Sequence, residues 1–229
     1  WITTFVGLKL CRGNLILKDP DIQATVDKTL EYVLSIQEDD GHWSDPEWSH
    51  LDTTCSVTCF LTIYQVTQDK TDDERINKAR IRGFEFITQW QKDSGLWKDE
   101  TFHPAGVETT AHLMQYTLVP AYFMDRTEYA GKMCMDAADS MVAAQAENGS
   151  WDNENTDHTM DACRNLMLVS DTFKTKEKYA PVIEKGVRWL IDIKNEQGWG
   201  DFPQEPSNVE RTADGLDTLL KYRRYDSGK

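Results

Sequence analysis

Positive charge is scarce in this sequence. Across 229 residues, 25 Lys and Arg stand against 39 Asp and Glu, a formal net charge of −14. Binding to nucleic acid needs clustered Lys and Arg, so that partner class is set aside. Docking on anionic lipid through a basic face fails for the same reason. Long apolar runs are also missing. The stretch Val57–Val66 is broken by Thr and Gln, whereas a transmembrane helix needs roughly 20 apolar residues. There is no Cys-x-x-Cys pair. The five cysteines (Cys11, Cys55, Cys59, Cys134 and Cys163) are odd in number and read as free core thiols of a reducing compartment. A cytoplasmic location is the matching expectation. No Gly-rich phosphate loop and no Asp-Asp-x-x-Asp cluster is present. The nearest run, Asp72-Asp73-Glu74, precedes a helical pattern, where acids suit the positive end of the helix dipole. The first residue is Trp1 rather than Met, so a processed or trimmed start is expected.

What the chain does have is a repeat. Gln37-Glu-Asp-Asp-Gly-His-Trp43, Gln91-Lys-Asp-Ser-Gly-Leu-Trp97 and Gln145-Ala-Glu-Asn-Gly-Ser-Trp151 read alike, and Lys194-Asn-Glu-Gln-Gly-Trp-Gly200 is a degenerate fourth copy. Glycines 41, 95, 149 and 198 are spaced by 54, 54 and 49 residues. Before each loop, apolar residues recur at three- and four-residue steps, as in Ile22, Val26, Leu30 and Val33. That spacing is an amphipathic helix with one buried stripe. After each loop comes a second helix start: Leu51-Asp-Thr-Thr-Cys55, Val107-Glu-Thr-Thr-Ala111, Thr156-Asp-His-Thr-Met160 and Val209-Glu-Arg-Thr-Ala213. Polar caps followed by apolar runs mark helix N-termini.

The repeat unit is therefore helix, Gly-Trp loop, helix. A half repeat over 1–18 and units over 19–70, 71–126, 127–176 and 177–229 predict a single all-α domain of about nine helices without substantial sheet, because stacked helical hairpins bury one continuous core. Hairpins of this length curl into an α/α toroid of inner and outer helices.

The Gln-x-x-x-Gly-x-Trp loops resemble the QW-type repeat of the squalene–hopene cyclase and class II terpene cyclase superfamily, whose α/α-barrel the protein prenyltransferase β subunits share. The resemblance covers nearly all of residues 1–225. It implies that Gln37, Trp43, Gln91, Trp97, Gln145 and Trp151 are structural, with the amide tying helix ends and the indole packing on the next unit. It also implies a class II acid motif, Asp-x-Asp-Asp-Thr-Ala. Here that motif is degraded: of its three acids, His50-Leu51-Asp52-Thr53-Thr54-Cys55 retains only Asp52, with His50 and Thr53 in place of the other two.

On that reading Asp52 is the acid, helped by His50 and Thr53, with Glu108 in reserve. Against it stands helix capping, because Asp52, Glu108, Asp157 and Glu210 recur in every unit. Aromatic faces that steady a cation and soft side chains that shape a pocket supply candidate substrate contacts. These are Phe5, Trp48, Cys55 and Phe60, then Tyr64, Tyr116, Met160 and Phe202, with ordinary core as the competing reading of each. Asp161-Ala-Cys163 with His158 offers zinc-like donors, but the next unit carries Glu210-Arg211-Thr212 where a matching His is needed, so no metal and no cofactor is expected. His103 and His112 show no partner pattern.

The resulting expectation is a terpene-cyclase-like enzyme that cyclises or isomerises a hydrophobic isoprenoid or polyene in an apolar central cavity. Pericyclic templating on the same scaffold, a non-enzymatic binding module and a carbohydrate-active toroid are the alternatives. A homodimer is the way two chains would complete a site between them.

Overall fold

The computed structural model describes residues 2–92, 94–98, 106–125 and 128–228. Trp1, His103 and Pro104 lie outside them. The helices are α1 (Ile2–Leu17), α2 (Pro20–Ser35), α3 (His50–Thr67), α4 (Glu74–Thr88), α5 (Val107–Leu113), α6 (Val119–Asp125), α7 (Glu128–Ala143), α8 (Thr156–Phe173), α9 (Lys176–Ile193) and α10 (Val209–Ser227). A π-helical turn, Met114–Leu118, joins α5 to α6, so the ten segments make nine rods among the described residues. Extended structure among these residues is confined to isolated bridges such as Gln91–Trp97. None of their helices is long and apolar enough to cross a membrane.

Alternate rods form two layers. α1, α3, α5–α6, α8 and α10 pack side by side as an inner arc, with α2, α4, α7 and α9 outside them. Packing of comparable extent does not join α10 back to α1 among the described residues, so the toroid is open on that side.

The Gly-Trp loops are structural in every copy. The indole N–H of Trp43 donates to Val33 O at 2.7 Å, Trp97 to Ile87 O at 2.8 Å, Trp151 to Met141 O at 2.7 Å and Trp199 to Leu190 O at 2.7 Å. Each bond lands on a carbonyl in the last turn of an outer helix, where intrahelical partners run short. The backbone N–H of the same tryptophans donates to Thr54, Thr110, Thr159 and Thr212 at the start of the next inner helix. The amide of Gln37 donates to Gly41 O and to Ala79 O of the next outer helix, and Gln145 does the same to Gly149 O and Val182 O. Gly149 adopts φ +101°, and a Cβ there would lie 2.6 Å from Lys185 O, so no other residue fits. These three tryptophans, 43, 97 and 151, are fully buried and present no face to a ligand.

Candidate functional site

The inner helices begin on one side of the arc and line a cleft of about 660 Å³ there. Each contributes residues at the steps of one helical face: Asp52, Ser56 and Cys59 from α3, Glu108, His112 and Gln115 from α5 and its π turn, Asp157, Asp161 and Arg164 from α8. α10 adds Glu210, Asp214 and Asp217, and α1 adds Phe5, Lys9 and Arg12. The expected apolar hollow is thus a charged one. Acids at the helix starts face inward, with Cys55 and Cys59 among them, while Met160 and Cys163 are buried in the core between helices.

Asp52 is buried, and its carboxylate accepts the Ser49 hydroxyl at 2.8 Å while its own N–H donates to Ser49 Oγ at 2.9 Å. Ser49 is the N-cap of α3, so this is a reciprocal capping arrangement at the edge of the cleft. Thr53 is buried beside it. His50 does not help Asp52 as expected: it is exposed and stacks on His42 with ring centroids 4.4 Å apart. Two residues along a helix turn a side chain by about 200°, which puts His50 on the face opposite Asp52 and off the cleft. Phe5, Trp48, Cys55 and Tyr116 do line the cleft. Phe60 and Met160 do not; both are fully buried in the core clusters. Tyr64 turns outward to donate to Asp27 of α2 at 2.8 Å. Phe202 is exposed in the loop before α10.

Sequence reasoning missed the centre of the cleft. His112, without a visible partner in the sequence, faces Asp161 across the α5–α8 contact, Nε2 to Oδ2 at 3.3 Å. Asp161 also pairs closely with Arg164, which reaches Asp214 at 2.9 Å. His158 bridges two acids, Nε2 to Glu108 and Nδ1 to Asp152, both at 2.8 Å. Arg211 closes the group on Asp157 at 2.9 Å and Asp201 at 2.7 Å. The available signal was positional: the residues one turn after the four acidic helix starts are Ser56, His112, Asp161 and Asp214.

The charges decide one another's protonation. Burial pulls the His112 pKa down, but Asp161, Glu108 and Asp52 outweigh it and raise it to about 9. Burial likewise opposes His158, and Asp152 and Glu108 carry it to about 9. Burial would raise Asp161, yet His112 and Arg164 hold it at about 2. Asp157 goes the other way: burial and the neighbouring Asp161 lift it to about 6 against the pull of Arg211. Two carboxylates one turn apart are therefore driven in opposite directions, a pattern that separates acid from base roles. Burial also raises the phenol of Tyr116, whose ring centroid lies 5.9 Å from that of His112.

Two backbone irregularities feed this cluster. Pro120 sits inside the third inner rod, where its ring clashes with the carbonyl four residues back. That carbonyl belongs to Tyr116, and the π turn Met114–Leu118 is centred there, as π bulges at such sites commonly are. Before α8, Asp152, Asn153 and Glu154 have φ of +48°, +56° and +67°. Three successive left-handed residues are costly for L-amino acids, and here they set Asp152 against His158. The zinc-like donors are not brought together: Asp161 faces the cleft, while Cys163 is buried with its Sγ packed against Gly186 of α9, its thiol pushed up to about 12 by burial.

No protein-family model matches the chain, and no curated protein matches its sequence. Solved structures do match its fold. A polysaccharide lyase, BACCELL_00875, superposes with a TM-score of 0.69 at 16% identity over 96% of this chain and 72% of its own. A protein from Actinoplanes superposes at 0.56, 16% identity, with 96% and 65% covered. The type II terpene cyclase MstE from Scytonema superposes at 0.52, 17% identity, with 96% and 63% covered. This chain thus spans less than two thirds of the last two. At these identities the likeness establishes the architecture: an all-α, toroid-type fold shared by a terpene cyclase and a polysaccharide lyase.

Proposed function

We propose that this chain is an enzyme of general-acid chemistry, with His112 as the proton donor and a polar, polyhydroxylated substrate of the carbohydrate class. The observation that carries this reading is the His112–Asp161 pair in a solvent-reached cleft of ion pairs. At neutral pH a histidine with a pKa near 9 is charged. Asp161 holds Nε2, and the second ring N–H has no partner among the described residues, which leaves it for a leaving-group oxygen. Tyr116 and Arg164 line the same cleft. Polarity of the cleft favours a polar substrate: an apolar polyene would strip water from Asp157, Asp214 and Arg211 and return no hydrogen bonds, which is expensive for each group. Phe5 and Trp48 on the cleft wall suit the apolar face of a sugar ring.

A second reading, isoprenoid cyclisation or isomerisation, has its own support. Asp157, at the position that corresponds to Asp52 in the third unit, has its pKa raised to about 6, as a carboxylic acid that donates a proton requires. Asp52 and Glu108 remain the further acids of that reading. The deciding experiment incubates the protein with acidic and neutral polysaccharides and with linear isoprenoids, and follows new chain ends or cyclic products. In the polysaccharide assay His112→Gln should lower kcat by about 100-fold or more, the usual contribution of a positioned acid. Unchanged turnover in a folded His112→Gln protein removes His112 from the mechanism. Activity confined to isoprenoids overturns the carbohydrate reading.

A further inference from the structure

The cleft has a second mouth of opposite charge. Below Arg12, Cys59, Gln115, Tyr116, Arg164 and Lys221, which line both chambers, the bore widens again to about 690 Å³ between the C-terminal halves of the inner helices. Five cations line this chamber (Arg12, Arg164, Lys176, Lys221 and Arg224), and Asp171 is the one acid that joins them among the described residues. In a chain of net charge −14, such local excess runs against composition. Helix-dipole complementation accounts for part of it. Lys176 donates to the terminal carbonyls of Tyr225 and Asp226, and Arg224 lies in the last turn of α10. It does not account for Arg12, Arg164 or Lys221, which lie outside the last turns of α1, α8 and α10. Arg164 is committed to Asp161 and Asp214, and Lys221 to Asp217 at 2.7 Å. Arg12 and Arg224 form no ion pair with any described residue, and both are exposed on the chamber.

We infer that this chamber is an oxyanion-binding site, one that takes a phosphate- or carboxylate-bearing ligand. Arg12 and Arg224 bind the oxyanion through their planar, two-pronged guanidinium groups, and Tyr116, Gln115 and Thr62 line the wall beside it. The site stands on its own, whatever reaction the acidic mouth performs. Because Tyr116 and Arg164 line both chambers, an anionic group seated here anchors a ligand whose other end reaches His112.

Calorimetric titration at low salt with sodium pyrophosphate and, separately, with trigalacturonate tests it. At least one probe should bind at about 1 mM or tighter, and binding should fade in high salt. Arg12→Glu/Arg224→Glu should weaken that binding by about tenfold or more. Lys28→Glu/Lys78→Glu, on the exposed faces of α2 and α4, makes the same change in net charge away from the bore and should leave it within about twofold. Pyrophosphate binding alone identifies a phosphorylated ligand, and trigalacturonate binding alone an acidic saccharide; both support the site. Failure of both probes, or equal weakening by the two double variants, overturns it. Since the readout is binding, that failure leaves the turnover test of His112 untouched.

Discussion

At the residue scale, two aspartates on inner helices that face the same cleft perform different work. Asp52 exchanges hydrogen bonds with the N-cap Ser49, whereas Asp161 sits between His112 and Arg164. Replacing Asp52 by Asn removes half of a capping arrangement and should cost about 1 kcal/mol. Replacing Asp161 by Asn leaves two part-buried cations, His112 and Arg164, short of an acid and should cost about 2–3 kcal/mol. The two variants also differ in a way that stability alone does not reveal. Without the Asp161 charge, burial regains control of His112, and its pKa should fall from about 9 toward or below the ordinary value. Histidine NMR titration reads this directly; an unmoved His112 resonance in Asp161→Asn would refute the pairing. Asp52 was legible from the sequence because it belongs to a repeated motif. His112 was not, because its partner lies 49 positions away on the next inner rod.

At the element scale, the hairpins are held by few, repeated contacts. Trp151 crosses to the next outer helix and needs a residue without a side chain beneath it. A Cβ at Gly186 would stand 2.9 Å from Trp151 Cζ3 and 2.6 Å from Cys163 Sγ. Gly83 meets Trp43 in the same way at 2.8 Å. Gly186→Ala should therefore destabilise by about 1–3 kcal/mol, the range for overpacked cores. Urea unfolding checks this; a midpoint at or above wild type would mean the indole has room to move. Gln, Gly and Trp positions within the loops were all legible beforehand, since their spacing recurs. The glycines beneath the rings were not, because each sits on a different helix from the tryptophan it admits.

At the scale of the whole molecule, the ion cluster couples folding to pH. His112 and His158 have folded pKa values near 9, above the ordinary 6.5, so their stabilisation is complete below about pH 6.5 and is lost as pH rises to about 9. Asp157, raised to about 6, contributes most below about pH 4 and loses its contribution as pH rises through 6. Asp161, held at about 2, stabilises above about pH 4 and loses its contribution as pH falls through 2. The three contributions are fullest together near pH 4, and that of Asp157 is lost between about pH 4 and 6. A net charge of −14 adds self-repulsion at higher pH. The urea midpoint should be greatest near pH 4 and fall toward pH 9; a flat profile over that range would show that the cluster is not coupled to folding.

The architecture was written in one dimension because its determinants are local. A Gln-x-x-x-Gly-x-Trp loop closes on itself, and a three-four apolar rhythm selects helix before any tertiary contact forms. The character of the bore was not written there. Which side chains face it depends on the rotation of each inner helix against two neighbours, and a rotation of one residue moves a group by about 100°. That rotation sends His50 outside and Phe60 into the core, and it gathers acids from α3, α5, α8 and α10 where an apolar hollow was expected. Protonation followed only then, since a carboxylate or imidazole takes its pKa from burial and from charges that other helices bring within a few ångströms.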